Sequence, residues 1–357
     1  MADNGHYFSK KLLEWNQEHN SRTMPWKGES DPYKIWLSEI ILQQTRVEQG
    51  WPYYERFIAA YPTVKKLAAA PDEEVFRLWQ GLGYYARCKN MLAAAREISS
   101  TYKGRFPNDY NAIRSLKGIG PYTAAAIASF AFNLPYAVLD GNVFRVLSRF
   151  FGIDTPIDST TGKKQFDELA QKLLPPEQSA VYNQSIMDFG AVVCKPQLPA
   201  CSSCPVAARC TALHQNLIPL LPVKSKKLQI KKRYFYYIVL EYNQQLYIRK
   251  RTAQDIWQNL HEFVLIETTA PVNMADLQES SPFTSILPPD TYTVTGISQS
   301  FRQQLTHQTI YSQFITIHVQ QPVTLPEHFS VPREALDNYA FPKTITTFLQ
   351  SKNLSLF

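Results

Sequence analysis

Two carboxylates in this sequence lie in surroundings that predict different protonation states. Glu39 stands in WLSEIILQQT, residues 36–45, among apolar side chains at helical spacing. Burial against apolar groups raises the pKa of a carboxyl group, because the charged form loses its solvation. Asp140, in the stretch LDGNV, precedes a predicted helix whose free amides would keep a carboxylate ionised.

An acid that holds its proton and a carboxylate that has lost one form the pair that cleaves glycosidic bonds. The acid protonates the leaving group, and the carboxylate stabilises an oxocarbenium-like sugar. The alternatives are a surface glutamate at Glu39 and a simple helix cap at Asp140. The chemistry therefore requires a fold that brings together two side chains far apart in the chain.

Four of the five cysteines lie in CKPQLPACSSCPVAARC, with the spacing C-x6-C-x2-C-x5-C. They are Cys194, Cys201, Cys204 and Cys210. Disulfides are not expected, because the first residues are polar and charged where a secretory signal would be apolar. The spacing indicates a metal site and leaves zinc and an iron–sulfur cluster equally open. Cys88, distant in sequence, is expected to be a buried structural thiol.

Two glycine turns could approach a nucleic acid. In LKGIGPYTAAAI, Gly118 and Gly120 precede a helix expected to begin near Pro121, where free amides favour an anion such as phosphate. GLGYYAR, residues 81–87, places two tyrosines after its glycines. Tyrosine rings can stack on bases or wedge between them, although isolated tyrosines are more often part of a core.

The elements that must position these residues change in character along the chain. Up to residue 213 the apolar residues recur at three- and four-residue spacing, and Asp31 and Pro32 form a helix-start signal before Glu39. Beyond residue 233 the chain is rich in aromatic and β-branched residues, which predicts strands followed by closing helices. We therefore expect an α-helical domain, a linker and a smaller α+β domain.

The length and charge of the chain agree with this division. A chain of 357 residues exceeds the usual size of one core. The net charge is +7, and residues 224–233 hold six basic residues and no acid, so the remaining excess is 7 − 6 = 1. The basic run marks a linker and could also contact phosphates. The longest apolar stretch is interrupted by Asn133 and Pro135, so a soluble intracellular protein without a membrane span is expected.

The cysteine quartet, LKGIGPYTAAAI, LDGNV, WLSEIILQQTRV and GLGYYAR occur together here. Together they resemble the A/G-specific adenine DNA glycosylases of the MutY type, within the helix-hairpin-helix glycosylase superfamily, over nearly all of residues 20–213. The resemblance implies one 4Fe-4S iron–sulfur cluster per chain on the four cysteines, and a phosphate-binding role for the turn at Gly118 and Gly120. It also implies that the substrate is duplex DNA with adenine opposite 8-oxoguanine or guanine, and that the adenine is flipped out of the helix.

The same resemblance implies roles for individual residues. Glu39 would protonate N7 of adenine and Asp140 would stabilise the cationic sugar, with Tyr122 and Asn142 supporting this chemistry. The remaining residues are Arg22 and Trp26 in the adenine pocket, and Gln43, Gln44, Leu82 and Tyr84 as DNA contacts.

Two alternatives belong to other classes of activity. Endonuclease III has the same fold and cluster, but it acts as a lyase through a lysine in a Gly-x-Gly-x-Lys pattern, where this chain has Tyr122, and it lacks an acid at the Glu39 position. A non-catalytic iron–sulfur DNA-binding protein would be favoured by the loss of either carboxylate, yet both are present.

The segment 234–357 resembles, more weakly, the Nudix-like C-terminal domain of the family. IWQNLHEFVLIE fits that fold, but no G-x5-E-x7-R-E-x-x-E-E box follows, so we expect recognition without hydrolysis. Relatives carry Phe-Ser-His in a turn that inspects 8-oxoguanine; the matching residues here are Leu305, Thr306 and His307.

The expected organisation is thus multidomain. An all-α helix-hairpin-helix glycosylase domain with an iron–sulfur cluster loop spans 1–213, with a six-helix module at about 31–135 and a cluster module at about 1–30 plus 136–213. A basic linker, 214–233, and a Nudix-like lesion-recognition domain, 234–357, follow. The protein is expected to be a monomer, cytoplasmic and associated with the nucleoid if it is prokaryotic, and no protein partner is indicated.

Overall fold

A computed structural model describes residues 2–24, 27–225 and 230–352, so part of the basic run lies outside the described residues. The helices of the first part of the chain are α1 Ala2–Glu18, α2 Pro32–Leu42, α3 Val47–Ala60, α4 Val64–Ala69, α5 Asp72–Trp79, α6 Tyr85–Thr101, α7 Tyr110–Ser115, α8 Pro121–Phe132, α9 Gly141–Phe151, α10 Thr160–Leu173, α11 Ser179–Val192 and α12 Thr211–His214. Short 3-10 turns lie at Pro176–Gln178, Cys201–Ser203 and Ala207–Arg209.

The helices that position the candidate site begin at the start signals found in the sequence. The Asp31 carboxylate accepts a hydrogen bond from the Tyr33 amide at 2.8 Å, and Pro32 opens α2, which confirms the predicted helix start. Helix α8 begins at Pro121 after Gly120, also as predicted. Helix α9 begins after Asp140, whose side chain caps the helix at Val143.

The core of the helical part is built from apolar side chains of α1, α8, α9, α10 and α11 packed together. It includes the fully or almost fully buried residues Phe8, Leu12, Leu147, Phe150, Phe166 and Phe189. Aromatic contacts such as Phe8–Phe150, with ring centroids 4.7 Å apart, tie α1 to α9. This packing fixes α9, and with it Asp140, relative to the cysteine-containing loop.

The second part of the chain forms an eight-stranded mixed sheet in the residues described. Its strands are β1 Lys231–Tyr242, β2 Gln245–Lys250, β3 His261–Glu262, β4 Val264–Thr268, β5 Tyr292–Ile297, β6 Phe301–Gln304, β7 Gln308–Val319 and β8 His328–Pro332. Its helices are α13 Met274–Glu279, α14 Ser281–Ile286 and α15 Lys343–Ser351, with a 3-10 turn at Arg333–Asn338. The long strands β1 and β7 are parallel and pair from Lys231↔Gln308 to Glu241↔His318.

The predicted hairpin at Asn-Gln-Gln is confirmed, since β1 and β2 are antiparallel and join through two residues with positive φ, Asn243 (46°) and Gln244 (64°). The chain divides into two compact units, Met1–Ala69 with Asn90–Lys227, and Ala70–Lys89 with Leu228–Phe357. Residues 70–89 thus group with the strands, although the sequence assigned them to the helical domain; the expected domain boundaries stay a prediction. Among the described helices, none has both the length and the apolar character needed to cross a bilayer.

Candidate active site and cysteine cavity

The two carboxylates singled out in the sequence line one cavity of the first unit. This cavity has a volume of about 680 Å³. Glu39 enters it from α2, Tyr122 from the start of α8, and Asp140 and Asn142 from the start of α9. The fold therefore brings together four of the residues proposed to carry the chemistry.

Glu39 has the altered acidity expected of a proton donor. Burial raises its pKa to about 7, and the negative charge of Asp140 acts in the same direction. A hydrogen bond with the Tyr122 side chain opposes the shift, because it stabilises the carboxylate. Burial also raises the pKa of Tyr122 well above its ordinary value, so the phenol keeps its proton and donates to Glu39. At neutral pH a large fraction of Glu39 therefore holds a proton.

Asp140 caps α9, and its surroundings act on its pKa in two directions. Its carboxylate accepts hydrogen bonds from the Val143 amide at 2.7 Å and from Asn142 Nδ2 at 2.9 Å, and both favour the ionised form. Burial nevertheless outweighs them, so the pKa of Asp140 is raised from its ordinary value. The hydrogen bonds at the helix start and the burial therefore act in opposite directions, and the ionised state expected for Asp140 stays a prediction.

Arg145 supports the Asp140 side of the cavity and was missed in the sequence. It is 8% exposed, and its Nη2 donates to Asn142 Oδ1 at 2.9 Å. The same guanidinium donates to the carbonyl oxygens of Gly190 (2.7 Å) and Cys194 (2.8 Å). Arg145 lies one helical turn after Asn142 on α9, and this spacing was the available signal.

Residues between α1 and α2 form one wall of the cavity, called the N-terminal wall below. It includes Arg22, as the sequence predicted. Trp26, its predicted neighbour in the adenine pocket, lies outside the described residues. Lys27 and Gln184 also line the cavity and were not predicted. Lys27 has the weak signal of a cation close to Arg22 in the chain, whereas Gln184 on α11 has none.

The two glutamines after Glu39 lie at the cavity as well. Gln43 ends α2 and donates from Nε2 to Thr123 Oγ1 at 3.1 Å, which ties α2 to α8. Gln44 has a φ of 58°, a conformation that side chains other than glycine seldom adopt. Such local strain is found at functional positions and is consistent with the predicted contact to bases.

The glycine turn before α8 needs glycine at one of its two positions. Gly118 has a φ of 79°, and a Cβ there would lie 2.6 Å from Cβ of Asn90. Gly120 has open space around it and precedes the first amides of α8. The turn therefore presents backbone and not side chains at the helix start, as an anion site requires.

The remaining predicted DNA contacts lie in the second unit. Leu82 is 5% exposed and belongs to the core, whereas Tyr84 is 45% exposed with a φ of 50°. The Tyr84 hydroxyl lies 2.7 Å from Thr306 Oγ1. Leu305, Thr306 and His307 form the turn between β6 and β7, and Thr306 and His307 are exposed.

The four cysteines line a single small cavity, of about 20 Å³, whose other walls are largely apolar. Within the described residues, no three histidine, cysteine or carboxylate side chains are grouped closely enough to hold one metal ion. Burial raises the pKa of Cys204 to about 12, and raises those of Cys201 and Cys210 as well. Thiolates in this cavity therefore require a cationic partner.

A buried arginine adjoins this cavity. Arg149 is 3% exposed, with Nη1 lying 3.6 Å from Cys194 Sγ and 2.7 Å from the Lys195 carbonyl oxygen. Its Nη2 donates to the Pro196 carbonyl oxygen, and its Nε donates to the Leu221 carbonyl oxygen. A guanidinium among carbonyl groups favours negative charge on the sulfur atoms, so the residues present fit a thiolate-bound cluster.

Comparisons with known proteins show which family the chain belongs to. Residues 37–176 match the family model described as HhH-GPD superfamily base excision DNA repair protein, and residues 235–351 match a NUDIX domain. The chain is 36% identical over 257 residues to the adenine DNA glycosylase of Buchnera aphidicola subsp. Baizongia pistaciae (strain Bp), covering 72% of this chain and 73% of that protein. It is 40% identical over 214 residues to adenine DNA glycosylase of Homo sapiens, covering 57% of this chain and 39% of the human protein.

Solved structures give the same result for the helical part. A thermostable thymine-DNA glycosylase matches with a TM-score of 0.56 and 29% identity, over 60% of this chain and 98% of its own. Endonuclease III, in a non-covalent complex with DNA, matches with a TM-score of 0.52 and 21% identity, over 61% of this chain and 98% of its own, which supports the fold alone.

The fold and the two family models define a helix-hairpin-helix base excision repair protein with a Nudix-like C-terminal domain. Within that class, the chain belongs to the adenine DNA glycosylase family. It is therefore a glycosylase that acts on N-glycosyl bonds in DNA, and proteins of this family generally contain an iron–sulfur cluster.

Proposed function

We propose that this protein removes adenine from duplex DNA where adenine is mispaired with 8-oxoguanine or guanine. The observation that carries the proposal is the cavity in which Glu39, with a pKa of about 7, faces the same space as Asp140. A cavity of about 680 Å³ has room for a base extruded from the helix.

The proposed reaction begins with proton transfer. Glu39 donates its proton to N7 of the flipped adenine, and the electron pair of the glycosidic bond leaves with the base. The C1′ carbon of the sugar becomes cationic, and the Asp140 carboxylate stabilises it across the cavity. Water then attacks C1′, and its proton passes to the carboxylate of Glu39. Tyr122 and Asn142 hold the two carboxyl groups through the hydrogen bonds described above.

The reaction is proposed to stop at the abasic site. The lyase alternative needs a lysine amine in the hairpin to form a Schiff base, and Tyr122 stands there. Its phenol is held protonated against Glu39, which is a supporting role in acid catalysis and not that of an amine nucleophile.

Cys194, Cys201, Cys204 and Cys210 are proposed to hold one 4Fe-4S cluster per chain. When bound, such a cluster supplies thiolate–iron bonds that fix residues 194–210, and it can take up or release an electron. The contribution of this chain is the apolar cavity and the Arg149 guanidinium beside Cys194.

The second unit is proposed to recognise the oxidised base without hydrolysing nucleotides. Thr306 and His307 offer a hydroxyl and an imidazole on an exposed turn, and Tyr84 lies within hydrogen-bond distance of Thr306. Leu305 offers an apolar contact, and the exposed Tyr84 ring is proposed to stack on a base. The protein is proposed to act as a monomer on nucleoid DNA, with basic residues of 224–233 near phosphates.

The proposal is tested with a duplex that holds one adenine opposite 8-oxoguanine, under single-turnover conditions. The wild-type protein should convert the adenine to an abasic site, Glu39→Gln should release no base, and Glu55→Gln, an exposed change on α3, should match wild type. If the wild-type protein binds the duplex but releases no adenine, the chain is a non-catalytic DNA-binding protein and the proposal is wrong. Strand cleavage by the wild-type protein, together with a Schiff base that borohydride traps, would favour the lyase instead.

A further inference from the structure

A fully buried carboxylate, which no motif in the sequence indicated, lies behind the N-terminal wall of the cavity. The side chain of Asp188, on α11, is 0% exposed. Oδ1 accepts hydrogen bonds from Arg22 Nη1 at 2.7 Å and from Gln184 Nε2 at 2.9 Å. Oδ2 accepts from Asn20 Nδ2 at 2.9 Å and from Lys27 Nζ at 3.2 Å.

These contacts join one position on α11 to three residues that lie between α1 and α2. Asn20, Arg22 and Lys27 lie outside the helices in the part of this stretch that the structure describes. Further bonds close the segment on itself, since the Arg22 amide donates to Asn20 Oδ1 at 3.1 Å and Lys27 Nζ donates to the Arg22 carbonyl at 3.0 Å. Asp188 is thus the buried point to which three side chains of this segment are bound.

Arg22 and Lys27 are two cations bound to the one carboxylate of Asp188, a balance of 2 − 1 = 1 within this group of three. Arg22 and Lys27 both line the cavity with Glu39 and are 26% and 32% exposed. A guanidinium carries five N–H donors, and Asp188 is its partner within the described residues, so most of these donors remain for a ligand. The ring nitrogens of adenine are hydrogen-bond acceptors.

We propose that Asp188 is a positioning residue for the cavity, which holds Arg22 and Lys27 so that their donors meet the acceptor nitrogens of the extruded adenine. This inference rests on the proposed function. Asp188 is too deeply buried to touch the base itself, so its effect must pass through the two cations. Displacement of a positioned group by about 1 Å can lower a rate by about 100-fold.

The test compares Asp188→Asn with Asp255→Asn. Asp255 is a matched control, because its carboxylate also bridges two cations, Arg233 at 2.7 Å and Arg251 at 3.2 Å, in the other unit. Asp188→Asn should lower the rate of adenine release at saturating protein by about 100-fold, whereas Asp255→Asn should leave it within about 3-fold of wild type. The affinity for a duplex with a tetrahydrofuran abasic-site analogue, which puts no base in the cavity, should not change for either variant.

A double-mutant cycle separates positioning from a general loss of structure. If Asp188 acts through Arg22, then Arg22→Met should cost much less in the Asp188→Asn background than in wild type. Effects of Asp188→Asn and Arg22→Met that multiply independently would overturn the inference. So would an Asp188→Asn variant that releases adenine at the wild-type rate, or one that loses affinity for the abasic-analogue duplex as strongly as it loses rate.

A measurement that does not depend on adenine release tests the inference even if the variant folds poorly or the proposed function is wrong. Acylation of the Lys27 amine by an activated ester, mapped by mass spectrometry, should be faster in Asp188→Asn than in wild type, since the amine loses the buried carboxylate that holds it. Lys89, bound to Gln258 at 3.1 Å, is an internal reference whose rate should not change. Equal acylation of Lys27 in folded wild type and variant would overturn the positioning role, whereas a wild-type protein that releases no adenine would overturn the proposed function.

Discussion

The raised pKa of Glu39 should make the protein less stable at alkaline pH, and replacing Glu39 by glutamine should remove that penalty. The pKa is about 7 in the folded protein and 4.5 ordinarily, a difference of 7 − 4.5 = 2.5 units. Because the folded state binds this proton more tightly than the unfolded state, the contribution to stability is present below pH 4.5 and is lost as the pH rises through 7. At about 1.4 kcal/mol per unit, the loss amounts to about 3 kcal/mol.

The assay is urea unfolding of the iron-loaded protein, followed by far-ultraviolet circular dichroism, which reports mainly the helical unit. Glu39→Gln should be more stable than wild type by about 3 kcal/mol at pH 8.5 and should show little of this gain at pH 4.5. Glu55→Gln, an exposed change, should show no such dependence on pH. A Glu39→Gln variant with the same stability as wild type at both pH values would refute the raised pKa of the Glu39 carboxyl group. The stabilised variant should also be inactive, as expected when a functional group is kept at a cost to the fold.

Three further predictions concern residues around the site. Arg149→Leu should lower the iron and acid-labile sulfide content per chain, because the change removes a buried cation 3.6 Å from Cys194 Sγ. Both contents are measured chemically on purified protein, and unchanged values would contradict the role given to Arg149. Gly118→Ala should weaken binding to duplex DNA, measured by anisotropy, and lower the free energy of unfolding by about 1–3 kcal/mol. The reason is that φ is 79° and the added Cβ would meet Asn90. Wild-type affinity and stability in this variant would contradict the phosphate-binding role of the turn. Tyr84→Phe should lower the preference for 8-oxoguanine over guanine opposite adenine by up to about 10-fold, because the hydroxyl lies 2.7 Å from Thr306 Oγ1. The preference is measured as the ratio of the adenine release rates from the two duplexes. An unchanged ratio would show that this contact has no part in recognition.

Local chemistry explains what the sequence could predict. Asp31 and Pro32 specify the start of α2 through their own side chains, and the positive φ values at Asn243 and Gln244 suit a tight hairpin. The apolar neighbours of Glu39 lie on its own helix, so a raised pKa could be inferred without a structure. The cysteine spacing was informative for the same reason, since four thiols within one short loop must lie close together.

What the sequence missed depends on contacts between distant parts of the chain. Asp188 meets Arg22 across 166 residues, and Arg149 meets Cys194 across 45. No spacing rule relates such pairs, because the fold alone makes them neighbours. The burial that raises the pKa of Asp140 has a related origin, since the helix cap is local but the burial comes from the surrounding elements.

The claim on which the mechanism depends is tested most directly by titrating Glu39 itself. Protein labelled with ¹³C in the glutamate carboxyl groups can be followed by NMR from pH 4 to pH 9, and the Glu39 signal is the one absent from Glu39→Gln. We predict a pKa of about 7, together with adenine release that slows as the pH rises through that value. An ordinary pKa near 4.5, with full-speed adenine release at neutral pH, would contradict the account.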